Sequence, residues 1–171
     1  SDVCSSDLGR GLKSANWRLD LELERQSLAV LQQFGRTYRA YAAAFEQRIG
    51  HPLPRWRILF ALYGHEGPIA QKPLADRVGM DPGALTRQLK ALQELGWIER
   101  STSERDNRMT NVTLTTQGRD VVDQAMPRRS AFLQDVLAGV SETTMHNLSK
   151  GLAQLEAGIA DAVARTERDA A

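Results

Sequence analysis

Cysteine is nearly absent: Cys4 is the single example in 171 residues. It lies in "SDVCSSDL", residues 1–8, a run that lacks the periodicity of the later chain and looks like the in-frame translation of a sequencing adaptor. Residues 1–8 are therefore expected to be non-native and are set aside. Without them no disulfide, thiolate metal site or cysteine redox sensor can form. Aromatic residues are scarce too, at 6%, so Leu, Val, Ile and Ala must do most of the filling in a chain that is 42% hydrophobic. No apolar run approaches the ~18 residues of a membrane span. No basic stretch followed by an apolar one marks a secretory leader. A cytoplasmic protein is the expectation. A glycine-rich phosphate loop, a nucleophile elbow and a cysteine nucleophile are all missing, so the chain is expected not to be an enzyme and no cofactor is called for. The three histidines, His51, His65 and His146, fall in separate elements without the close spacing of a zinc site, so no metal is expected.

Charge of one sign is also weak in total but not in placement. Setting aside Asp2 and Asp7 raises the formal net charge from +1 to +3. Asp135 to Ala171 carries six acids against three bases, which leaves +6 on Gly9 to Gln134. A polyanionic partner should meet that larger part and not the tail.

What is present is mostly helical periodicity. Leu28, Leu31, Phe34, Tyr38, Tyr41, Phe45 and Ile49 recur in steps of three and four, one face of a long helix over 21–49. "GHPLP" stops it. A shorter helix follows over 55–63, then a turn at "GHEGP", then helices over 72–78 and 81–95. Asp81 is a good N-cap, Pro82 suits the first helical position and Gly96 the exit. "WIER" and "MTNVTLT" read as a two-stranded hairpin, too small to stand without the helices before it. Helical spacing then returns, with Pro127 expected to kink or divide the helix. Ser141 is the expected N-cap of the last helix, where Leu148, Leu152, Leu155, Ile159 and Ala162 form a narrow seam of the kind used between helices. The expected fold class is mainly α with a small β-hairpin.

"PLADRVGMDPGALTRQL" places two helices about a short turn. Ala75 allows close approach, Gly79 can take the turn's positive φ, and Leu85 packs the second helix onto the first. The spacing resembles a helix-turn-helix. At ~100° per residue, Leu85, Leu89 and Leu92 lie within roughly 60° of one another, while Gly83, Arg87, Lys90 and Glu94 point the other way. The exposed face of Gly83, Thr86, Arg87, Gln88 and Lys90 has short residues first and cations after them. Short residues permit entry to a groove, Arg suits a guanine edge, and Lys and Thr suit phosphates. The helix N-terminus is expected to offer N–H groups to a phosphate.

The hairpin tip, "ERDNR", then reads as a wing. Arg105 and Arg108 are candidates for an electronegative minor groove, and Asp106 for bonding turn N–H groups or orienting an arginine. "WIERSTSERDNRMTNVTLTTQG" resembles the wing of MarR-family winged-helix regulators, through Asp106, Arg108, Val112, Leu114-Thr115 and Gly118. "MDPGALTRQLKALQELGWIER" is similar to that family's recognition helix and its exit, Leu92 and Gly96. The resemblance spans about 28–163. Gly83 departs from it, since many relatives carry Ser there, and a hydroxyl contact to phosphate is lost.

The resemblance implies a homodimer whose first and last helices interlock, with two winged lobes on a pseudo-palindromic duplex. The domains expected are 9–53, an N-terminal dimerisation region; 54–118, the DNA-binding lobe; 119–165, C-terminal dimerisation helices; and a tail, 166–171. It also implies a small aromatic or phenolic effector between dimerisation helices and lobe, with Tyr38, Tyr41, Trp56, Phe60 and Tyr63 as pocket candidates and Arg57 as a carboxylate partner. The expected function is a ligand-responsive repressor that binds double-stranded DNA. The alternative is a winged-helix module for protein contacts without specific DNA binding.

Overall fold

The computed structural model describes residues 16–102 and 110–169. Six helices and three strands follow in the order α1 (Asn16–Ile49), α2 (Leu53–Tyr63), β1 (Ile69–Ala70), α3 (Gln71–Val78), α4 (Pro82–Glu94), β2 (Ile98–Thr102), β3 (Thr110–Leu114), α5 (Thr116–Leu137) and α6 (Glu142–Asp169). The chain divides into two compact units, Ser1–Ala125 and Met126–Ala171. Among the described residues no helix is long and apolar enough to cross a membrane.

In the first unit the end of α1 is sealed: Phe45 and Ile49 are buried, whereas Leu28, Leu31, Phe34 and Tyr38, on the same periodic face, are exposed. Below them lies a core of Ile58 and Leu59 from α2, Leu74 from α3, Leu85, Leu89 and Leu92 from α4, Ile98 and Val112 from the sheet and Val122 from α5, each fully buried. Aliphatic side chains thus carry the packing, as the scarcity of aromatics required.

The sheet has one strand more than the expected hairpin. Its order is β1-β3-β2, all antiparallel, with Ile69 opposite Val112 and Ile98 opposite Leu114. β1 falls between the turn at "GHEGP" and the helix expected from 72, in residues given no element because two residues cannot display a period. Its effect is to give β3 partners on both edges, so Val112 lies at the centre of the sheet and is fully buried.

Two glycines fix the ends of the helix-turn-helix. Gly79 takes φ 58 and Gly96 φ 73, a region L side chains avoid. Around each, the next amide reaches back five residues and the glycine amide three: Met80 N to Ala75 O at 3.0 Å with Gly79 N to Asp76 O at 3.2 Å, and Trp97 N to Leu92 O at 3.0 Å with Gly96 N to Gln93 O at 2.9 Å. This double bond is the Schellman ending, which satisfies carbonyls the helix leaves bare.

Thr115 explains the spacing of "LTTQG". Its amide donates to Trp97 O at 3.1 Å, its hydroxyl donates to Gly96 O at 2.8 Å, and its Oγ1 accepts from Gly118 N at 3.0 Å. One residue therefore caps α5 and ties it to the exit of α4. α5 is not divided at Pro127, which sits inside it. In the second unit Ser141 caps α6, its Oγ accepting from Thr144 N at 3.1 Å. α6 has no buried residue; Leu148, Leu155, Ile159 and Val163 stand exposed along it.

Candidate nucleic-acid interface

α4 is positioned from behind and at both ends. Leu85, Leu89 and Leu92 are each 0% exposed. Asp81 caps the start, its Oδ1 accepting from Gly83 N at 2.9 Å and Ala84 N at 3.0 Å. Those two amides are taken, and by a carboxylate, so they do not offer themselves to a phosphate as the sequence suggested. The residue that starts the helix competes with the ligand that would have used it.

Gly83, Thr86, Arg87 and Lys90 come together as one exposed stripe at intervals of three, one and three residues. Among the described residues, Arg87 and Lys90 have no hydrogen-bond or ion-pair partner, and both are exposed. A Cβ on Gly83 would stand 3.1 Å from Asp81 Oδ1 and 3.8 Å from Arg87 Nη1, so the glycine leaves room for the cap and the guanidinium.

Gln88 does not belong to this stripe. It is half-buried and its Oε1 accepts from Arg55 Nε of α2 at 3.4 Å, which makes it a link between helices. Thr86 is on the stripe, but its hydroxyl donates to Pro82 O at 2.8 Å and accepts from Gln71 Nε2 at 2.6 Å. The wing candidates Arg105, Asp106 and Arg108 lie outside the described residues; the strands that would carry them, β2 and β3, are paired up to Thr102 and Thr110.

The six aromatic-pocket candidates are not gathered in one place. Tyr41, Phe45, Trp56 and Phe60 form a chain of ring pairs, each 6.0 Å between centroids. Trp56 is core at 3% exposure, while Tyr38 is 47% and Phe60 38% exposed. Tyr63 lies apart: its hydroxyl donates to Asp123 Oδ1 at 2.5 Å and Arg119 sits over its ring. The hydrogen bond to the Asp123 carboxylate, and then its charge, hold the phenol above its ordinary value of 10.0, so it stays a protonated donor. Arg57 Nη2 donates to the carbonyl of Val78 at the helix-turn-helix turn, which makes it a brace for α3 and turns that nitrogen away from any carboxylate ligand. An open cleft of ≈ 380 Å³ lies elsewhere, lined among others by Gln93, Ile98, Arg100, Ser101, Thr113 and Thr115.

Arg55 and Gln71 are positioning residues that sequence reasoning missed, and Arg57 is one to which it gave a different role. Each contacts α4 or its turn from another helix, and no spacing along the chain signals such a bond.

The MarR family model matches residues 52–110, which covers α2 to the start of β3. An uncharacterized HTH-type transcriptional regulator of Bacillus subtilis, YdgJ, is 32% identical over 130 residues, 76% of this chain and 79% of that one. The chain belongs to the MarR family. It is a transcriptional regulator with a winged helix. Among solved structures, a probable transcriptional regulator from Pseudomonas aeruginosa is 27% identical with a TM-score of 0.66, covering 78% of this chain and 98% of that one. A mutant MarR from E. coli complexed with operator DNA shares the fold, at a TM-score of 0.69 and 19% identity over 76% of this chain and 95% of that one. In this MarR-family chain the matched segment contains the whole α4 stripe and the turn that Arg57 braces.

Proposed function

We propose that this regulator is a ligand-responsive repressor that binds double-stranded DNA as a homodimer, with α4 of each protomer in the major groove of one half of a pseudo-palindromic operator. The stripe of Gly83, Thr86, Arg87 and Lys90 carries the reading. It places a bare backbone, a short side chain and two exposed cations on the outer face of a helix locked by leucines behind and by Asp81 and Gly96 at its ends. An α-helix fits the major groove, and a rigid mount lets side chains discriminate base edges. That a protein of the same fold, the E. coli MarR mutant, is complexed with operator DNA is in keeping with a DNA-binding reading.

Within this reading Arg87 reads a base and Lys90 a phosphate. Arg105 and Arg108, from their place between β2 and β3, reach the neighbouring minor groove, with Asp106 ordering the turn. The exposed apolar seam of α6 pairs with its copy. An aromatic or phenolic effector meets the ring chain at its accessible members, Tyr41 and Phe60. The protein works in the cytoplasm and catalyses no reaction.

Arg87→Ala is expected to cost ~1–3 kcal/mol on the selected operator and to relax preference at one base pair, measured by fluorescence anisotropy on the operator and its single-base variants. Equal loss on every duplex would assign Arg87 to a phosphate. Arg108→Ala should weaken operator binding with the dimer intact by sedimentation; unchanged affinity would remove the wing from the interface.

A further inference from the structure

We propose that Thr86 reads thymine through its methyl group and is a specificity-determining residue of α4; the inference rests on the major-groove docking proposed above. The reason is the state of its hydroxyl. A threonine hydroxyl has one hydrogen to give and two lone pairs. The hydrogen is spent on Pro82 O, one turn back at 2.8 Å, and one lone pair is filled by Gln71 Nε2 from α3 at 2.6 Å. Phosphate oxygens only accept hydrogen bonds, so a hydroxyl without a free hydrogen has nothing to offer them.

The part of the side chain without a polar commitment is the γ-methyl, on a residue that is exposed. Thr86 sits mid-stripe, three residues after Gly83 and four before Lys90. The missing side chain at Gly83 clears the approach beside it. In the major groove the apolar feature of a base pair is the C5-methyl of thymine, and a threonine methyl is a known match for it. Gln71 and Pro82 hold the hydroxyl from two sides, so the rotamer that presents the methyl is fixed before DNA arrives. Pre-set geometry of this kind converts a small contact into discrimination, because no ordering cost is left to offset it.

Deoxyuridine lacks only that methyl, which makes it the probe. On an operator selected from random DNA, each thymine of one half-site is replaced in turn by deoxyuridine, and affinity is read by fluorescence anisotropy for the parent, Thr86→Ser and Thr86→Val. The parent should lose about fourfold at one position, the value of burying one methyl. Thr86→Val keeps a methyl there and should keep that loss. Thr86→Ser keeps the hydroxyl but not the methyl and should bind thymine and deoxyuridine alike. Retained sensitivity in Thr86→Ser, or its disappearance in Thr86→Val, overturns the proposal. So does a parent that is indifferent to every replacement. Thr86→Val weakening all duplexes equally would return the hydroxyl to a phosphate and also overturns it. These outcomes leave the DNA reading standing, whereas a parent that selects no duplex at low salt removes both. Thr86 is exposed, so the variants should fold, and circular dichroism checks that they do.

Discussion

Gly118→Ala should lower stability by about 3 kcal/mol, at the upper end of what overpacking costs. For a chain of this size that is a fall in Tm of about 10 °C. A Cβ at Gly118 would lie 2.0 Å from Trp97 O, 2.9 Å from Trp97 C and 2.9 Å from Leu114 Cδ1. Two of the three are backbone atoms, which cannot swing aside as a side chain can. Trp97 is held besides: its amide donates to Leu92 O at 3.0 Å and its carbonyl accepts from Thr115 N at 3.1 Å. Room for the methyl therefore requires breaking the joint between the exit of α4 and the start of α5. Gly151→Ala is the control. Nothing lies within 4 Å of a Cβ there, and the site is inside α6. Alanine should be neutral or raise stability by up to ~1 kcal/mol, the difference in helix propensity. Both are read by thermal melting followed by circular dichroism. A Gly118→Ala melt that overlays the parent would show that the backbones do not approach so closely.

Leu155→Glu combined with Ile159→Glu should separate the proposed dimer and reduce operator affinity by about 10²–10⁴-fold, the gain that linking two half-sites brings. Leu155 is 38% and Ile159 57% exposed, so neither holds the single chain together. Fully covering a side chain of this size is worth ~1.5–3 kcal/mol, and a carboxylate in its place must be desolvated against its own copy. Sedimentation should give twice the chain mass of 19.0 kDa for the parent and that mass for the variant. Helical content should be unchanged. A variant that remains dimeric would move the interface off this seam.

The recognition helix was largely legible in the sequence because its signals are local. Asp81, Pro82 and Gly96 mark its ends through the chemistry of bare amides and carbonyls, and Leu85, Leu89 and Leu92 mark its inner face through the helical period. The long face of α1 was legible only as a need. Periodicity shows that Leu28, Leu31, Phe34 and Tyr38 want cover, but among the described residues of that face it is Phe45 and Ile49 that are buried. β1 was invisible because two residues acquire their strand identity from pairing with β3. The misreadings at the site share one cause. The α4 amides, the Thr86 hydroxyl, Gln88 and Arg57 all carry groups suited to a ligand, and each is engaged by the protein itself. Residue type gives the capacity to bond; only the fold shows whether that capacity is already used. Among the described residues, what remains uncommitted on α4 is two cations and a methyl.

Whether α4 of each protomer docks on one half of a duplex site is decided by selecting bound fragments from random DNA and titrating salt on the winner. The expected winner is a pseudo-palindrome whose half-sites lie one helical turn, ~34 Å, apart. The logarithm of affinity for it should fall linearly with the logarithm of salt, as phosphate neutralisation requires. Failure to enrich any sequence, or an affinity indifferent to salt, would contradict that docking.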